Sequence, residues 1–324
     1  MDKSWTVVEG PATSESERRL ELLGTEVGLL VGVPATPGAP SVNSALAYAE
    51  AMLRTFHERL SRFLPTSELS ELNRDPRAEV PASPLLRRAV GAALGAAERS
   101  GGLVDPTLVG ELERVGYARS RVGAPLAPLP AALAAAPPRR PASPRPGARW
   151  REIRVSDQTV RRPPGVRIEL GGVGKGLAAD LCATRLQGFS SFAVDAGGDI
   201  VFGGVAGAPR LIEIDHPLTA GRTLRFELAE GAVATSGLAT RLWGTPDGVA
   251  HHLLDPSTGK PAWTGVAQAT AVGRCGVEAE TLAKTALLSG RETGLAILTP
   301  LGGALVLDDG EVIPAGPIAA QEER

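Results

Sequence analysis

The chain has 324 residues, a mass of 33.4 kDa and a formal net charge of −2. That length supports one large core, and the charge balance gives no basic stripe, so a nucleic-acid surface is excluded as a reading. No apolar run approaches the ~18 residues of a membrane span, and the first residues lack a basic start with an apolar core, so the chain reads as soluble, cytoplasmic and not inserted in a membrane.

Residues 1–20 are polar and read as a flexible N-terminus, and 317–324 as a flexible C-terminus. Between them, 21–316 reads as one domain. Gly24–Val33 reads as a strand. Residues 43–63 repeat apolar positions at three and four residues, which predicts an amphipathic helix with Asn43 as its cap. Residues 64–76 read as a loop with one helical turn, and 83–100 as a helix closed by Gly101-Gly102. Pro, Ala, Arg and Gly dominate 118–148, and that Pro density forbids regular structure, so it reads as a disordered insertion within the domain. Strands are predicted near 151–155, 159–161 and 166–169, then a helix at 176–187 and a strand at 191–195. Further strands are predicted near 200–204, 210–215, 223–229, 232–235 and 266–273. A helix at 277–289, another after 294 and a hairpin around Asp308-Asp309-Gly310 end the chain. Strands and helices mix without βαβ alternation, so the fold class is α+β.

Composition marks out a few residues. Lysine occurs only at Lys3, Lys175, Lys260 and Lys284. Nearly every other cation is Arg, so a Lys suggests a place where a compact charge is needed. The stretch His251-His252-Leu253-Leu254-Asp255-Pro256-Ser257-Thr258-Gly259-Lys260-Pro261 holds two of the four histidines, a carboxylate, two hydroxyls and a lysine in a turn shaped by Pro and Gly. Glu169-Leu170-Gly171-Gly172-Val173-Gly174-Lys175-Gly176 runs from a strand through glycines into a helix. It is either an anion cradle or a structural turn, and its spacing is neither a P-loop nor a dinucleotide fingerprint. Asp195-Ala196-Gly197-Gly198-Asp199 and Thr235-Ser236-Gly237 carry the same two readings. Glu280 and Lys284 share a helix face, where an exposed ion pair worth a few tenths of a kcal/mol is the plain reading. Ser67 heads a possible capping box with Ser70 at its fourth position. Asp105 sits in the turn Gly101-Gly102-Leu103-Val104-Asp105-Pro106-Thr107. Cys182 and Cys275 lack metal-ligand spacing and read as buried free thiols, with one disulfide as the alternative.

Taken in order, these segments resemble the ApbE-like FAD:protein FMN transferase family, over about 24–310. The resemblance rests on Leu72-Asn73, Val104-Asp105-Pro106-Thr107, Glu169-Leu170-Gly171-Gly172-Val173-Gly174-Lys175-Gly176, Gly197-Gly198-Asp199, Thr235-Ser236-Gly237 and the His251–Pro261 stretch. It implies a T-fold-related, two-lobed architecture with mixed or antiparallel sheets and one FAD site between the lobes. It implies FMN transfer from FAD to a Thr or Ser hydroxyl of an acceptor flavoprotein or redox-complex subunit, giving a phosphoester and AMP. By position, His252 is the implied general base or orienter and Asp255 orients it or shapes the loop. Asn73, Asp105, Glu169, Gly171, Gly172, Lys175, Asp199, Thr235, Ser236, Gly237 and Lys260 are the implied FAD contacts. His57 and His216 read as structural. The family's metal helix carries Asp and, four residues on, Thr; here those places hold Glu280 and Lys284, with the Gly174 carbonyl as a further ligand position. A protonated Lys cannot ligate Mg2+, so its charge would stand in for part of the metal's. The alternatives are an FAD-binding member with weak or lost transfer, and an FAD pyrophosphatase giving FMN and AMP.

Overall fold

The computed structural model describes residues 5–8, 15–246, 248–318 and 321–323. Its centre is a sheet of eight antiparallel strands, in the spatial order 312–315, 303–307, 266–273, 231–237, 199–203, 192–195, 25–31 and 16–22. Strand alternation decides what each face meets. In Gly231–Gly237, Ala232 and Ala234 point to one core and Val233 to another. Val233, Phe202, Val272 and Val306 pack against Ile212, Ile214, Leu224 and Phe226 of a four-stranded sheet. The opposite face is covered by helices.

The described helices are α1 (Val42–Leu60), α2 (Glu68–Arg74), α3 (Pro84–Arg99), α4 (Val109–Arg114), α5 (Leu129–Ala135), α6 (Gly174–Ala183), α7 (Gly276–Ser289) and α8 (Arg291–Leu298). α1 buries Ala45, Leu46, Ala49, Leu53, Phe56 and Leu60, the predicted stripe. Its cap is Ser41 rather than Asn43: the Ser41 hydroxyl accepts from Ser44 N–H at 3.2 Å. Ser67 caps α2 in the same way. α7 is buried almost all round, charged Glu280 and Lys284 included, and lies under the 231–237 and 266–273 strands.

Several expectations need correction. Residues 166–169 form no strand; Arg149–Glu152 is a short 3-10 turn, and α4 and α5 went unpredicted. Of the expected flexible N-terminus, 1–4 and 9–14 lie outside the described residues, while Trp5–Val8 and Ser16–Leu22 are strands paired with 211–214 and 25–31. Of 317–324, residues 319–320 and 324 lie outside the described residues and Gln321–Glu323 pairs with 223–225.

The largest correction is the insertion at 118–148. It contains α5, whose Leu129, Ala132 and Leu133 are buried in a core shared with Leu253, Trp263 and Leu287. Between its prolines the backbone donates to fixed acceptors: Ala127 to Leu242 at 3.0 Å, Arg140 to Trp263 at 3.0 Å and Ala142 to Leu288 at 2.8 Å. Irregular backbone is here anchored backbone, because these three N–H groups are paired with the domain.

Candidate active site

Two helix N-termini meet beneath the central sheet. A Cβ on Gly176 would lie 2.4 Å from the Gly276 carbonyl carbon, and one on Gly276 would lie 2.5 Å from Gly176 O. Only glycine permits that approach. Each helix then caps the other. Asp180 of α6 accepts from Gly276 N–H at 2.6 Å and Val277 N–H at 3.0 Å, where α7 has no cap of its own. Glu280 of α7 accepts from Gly176 N–H at 2.9 Å through Oε2. Its Oε1 accepts from Lys284 Nζ at 2.7 Å. Glu280 is fully buried and the Lys284 side chain is 10% exposed, so this pair is not the exposed bridge that its spacing suggested. Burial pushes the Glu280 carboxyl up, and Lys284 opposes that.

Lys175, in the first turn of α6, reaches the turn after the Phe192–Asp195 strand. Its Nζ donates to Gly197 O at 3.1 Å and lies 3.0 Å from Asp199 Oδ2. That second contact is an ion pair without hydrogen-bond directionality, since Oδ2 has no directed donor. Asp195 accepts from Gly198 N–H through Oδ1, and burial holds its carboxyl well above the usual range.

The histidine loop supplies the third side. His251 is fully buried, edge-on to Trp263 with ring centroids 4.8 Å apart, and burial pushes it down to about 3. Its Nδ1 accepts from Leu253 N–H, so it is a neutral structural ring. His252 differs. Neither ring nitrogen has a hydrogen-bond partner among the described residues, and Nδ1 is buried. Burial, then the positive charge of Arg241 and further fields from His251, Lys284 and Lys175, hold it well below the histidine range. The ring faces Tyr117 edge-on at 6.4 Å. Arg62 stacks on Tyr117 at 4.7 Å and opposes the upward push of burial on Glu169, whose Oε2 accepts from Gly171 N–H. Arg62, Tyr117 and Arg241 went unnoticed in the sequence because Arg is the default cation and no spacing ties them to the loop.

The structure divides the other expected residues. Asp105 is buried near Glu169; Oδ1 accepts from Thr107 N–H and Oγ1, and Oδ2 has no partner among the described residues. Gly172 leaves room for Val104, which a Cβ would approach at 2.8 Å. Ser236 shares its strand face with Ala234, toward the helices. Thr235 points the other way: its hydroxyl meets Thr270 at 3.0 Å, on the face turned to the four-stranded sheet with Val233, and Gly237 shares that parity. Asn73 is a clamp, with Nδ2 donating to Ile168 O and Oδ1 accepting from Ile168 N–H, both at 2.7 Å. Asp255 accepts from Ser143 N–H, Ser257 N–H and Ser257 Oγ, so it shapes the loop and ties it to the Pro-rich insertion rather than holding His252. Lys260 is exposed and is not brought to the site. His216 bonds Gly310 O and the Leu218 and Thr219 amides, a structural role. Cys182 is buried and Cys275 is exposed; both are free.

The expected metal position does not fit a divalent cation. Both Glu280 oxygens are engaged, one by an ammonium. Gly174 opens α6, so its carbonyl points into the helix ladder. Among the described residues no group of three His, Cys, Asp or Glu is placed to hold a metal.

The ApbE family model matches residues 23–306. A FAD:protein FMN transferase of Treponema pallidum (strain Nichols) is 30% identical over 291 residues, 82% of this chain and 76% of that protein. A FAD:protein FMN transferase of Vibrio cholerae serotype O1 is 32% identical over 141 residues, 41% of this chain; that match spans only 42% of the relative's own length. Among solved structures, the ApbE protein of Thermotoga maritima has a TM-score of 0.76 at 24% identity, covering 93% of this chain and 97% of that one. The Pseudomonas stutzeri flavinyl transferase ApbE has a TM-score of 0.73 at 21% identity, covering 94% and 95%. Both likenesses show the α+β fold, with mixed helices and antiparallel sheet.

Proposed function

The chain belongs to the ApbE family, and from that premise we propose that it is an FAD:protein FMN transferase. The reading rests above all on His252: an imidazole held neutral, with no hydrogen-bond partner among the described residues, in the positive field of Arg241, Lys284 and Lys175. A neutral base among cations suits a reaction in which a hydroxyl must lose its proton beside a pyrophosphate. The acceptor Thr or Ser oxygen forms a bond to the FMN phosphorus. The bond from that phosphorus to the bridging oxygen breaks, and AMP leaves with that oxygen. The hydroxyl proton passes to His252. On this reading Lys175, in the first turn of α6, brings positive charge to the phosphates. Asp105, Glu169, Gly171, Gly172 and Ser236 are the further FAD contacts on this reading. The ordinary family chemistry would add Mg2+, but the residues present do not fit that ion.

Intact mass spectrometry of an acceptor domain incubated with FAD tests the reading. An FMN-sized gain is expected, falling about 10²- to 10⁴-fold in His252→Ala. FMN and AMP released equally with and without acceptor would mean a pyrophosphatase. Bound FAD with no gain on any acceptor tried would mean a flavin-binding protein.

A further inference from the structure

Lys284 is a cation in an unusual setting. Its side chain is nine-tenths buried. Among the described residues its one hydrogen bond goes to Glu280 Oε1, which leaves two ammonium N–H donors. Glu280 cannot turn away, because its other oxygen holds the Gly176 amide at the start of α6. The charge of Lys284 reaches both His252 and Glu169, which places it on the side of the junction that faces the reacting groups. Glu280 has a structural task, the cap on Gly176 N–H, but that task does not select a lysine at 284. A buried ion pair contributes little net stability, so joining the helices does not by itself call for the ammonium. The chain also uses Arg at nearly every other cationic position, yet has Lys here.

We propose that the Lys284 ammonium, held in place by Glu280, is the cation that meets the FAD pyrophosphate in this chain, at the place a divalent ion would take, so that FAD binds without a divalent cation. The proposal rests on the FAD-dependent reading above and deepens it. Lys284 donates its two remaining N–H groups to phosphate oxygens, and Lys175 faces the same phosphates from α6. Substrate binding supplies partners for those two donors.

The test is a binding measurement, so it does not depend on transfer. FAD affinity is measured by flavin fluorescence in chelator and in millimolar Mg2+, with riboflavin, which carries no phosphate, as the control ligand. Wild-type affinity for FAD is expected to agree within about two-fold in the two conditions. Lys284→Met is expected to weaken FAD about 10- to 100-fold, the loss of a charge-assisted contact, and to leave riboflavin unchanged. Lys284→Thr is expected to regain FAD affinity only when Mg2+ is added. The wild-type chelator measurement needs no variant and guards against one that fails to fold. Loss of wild-type FAD binding in chelator, restored by Mg2+, overturns the proposal. So does an equal loss of FAD and riboflavin in Lys284→Met, which would mark a structural pair. If FAD binds through Lys284 but no acceptor is ever modified, the transferase reading falls and this one stands.

Discussion

At the α6–α7 junction, two helix N-termini touch through glycines and exchange carboxylate caps. Along 118–148, a mostly irregular chain reaches the histidine loop through single backbone hydrogen bonds spaced between prolines. Both regions hold parts of the candidate site in place. The junction does so by close packing, where nothing can be added. The Pro-rich strap does so by stiffness, because Pro has few unfolded conformations to lose and amides between the prolines, those of Ala127, Arg140 and Ala142, find acceptors in the domain. The first should be brittle and the second forgiving.

The sharpest contrast comes from Gly176→Val. Its side chain collides with the Gly276 carbonyl, and a loss of about 3 kcal/mol or more in urea unfolding is expected. A fully stable variant would mean that the helices can slide apart. Asp180→Ala should cost about 2 kcal/mol, because it strands two amides of α7. A cost under about 0.5 kcal/mol would show that solvent replaces the cap.

The neighbourhood of the strap can be probed by acid. His251 packs against Trp263, whose carbonyl receives Arg140 of the strap. Its folded value near 3 lies below the unfolded value near 6.5. Below pH 6.5 the unfolded chain takes up a proton that the folded chain refuses, so stability falls with pH. Measured against His251→Phe, wild type should lose up to about 1.4 kcal/mol per pH unit between pH 6 and 4. Parallel curves would refute a buried neutral ring. The smallest effect is expected from Ser143→Pro, which removes the N–H bonded to Asp255 at 3.1 Å. It should cost about 1 kcal/mol globally while speeding limited proteolysis of 118–148 and slowing transfer. Unchanged proteolysis and transfer would mean that the strap holds nothing.

The order of elements was legible because periodicity is local: the stripe of α1 and the alternation in 231–237 stand in the sequence. What each face meets was not. The i, i+4 spacing of Glu280 and Lys284 is the same on a surface or in a core, and only the approach of Gly176 to Gly276 buries it. The period of Thr235 was readable, but not that its side faces the second sheet. The Pro-rich segment misled because a lack of regular structure was taken for a lack of fixed structure. The residues Asn73 and Asp255 were recognised, yet their partners, Ile168 and Ser143, lie far along the chain.

The reciprocal caps have a kinetic consequence. Gly176 and Glu280 are 104 residues apart, and the strands at 192–195, 199–203, 231–237 and 266–273 lie between them. Closing so long a loop is entropically costly until that sheet has formed. The α6–α7 junction is therefore expected to assemble late, near the end of folding. On the proposed function, a partly folded chain has no site to offer, and FAD would stabilise only the finished molecule.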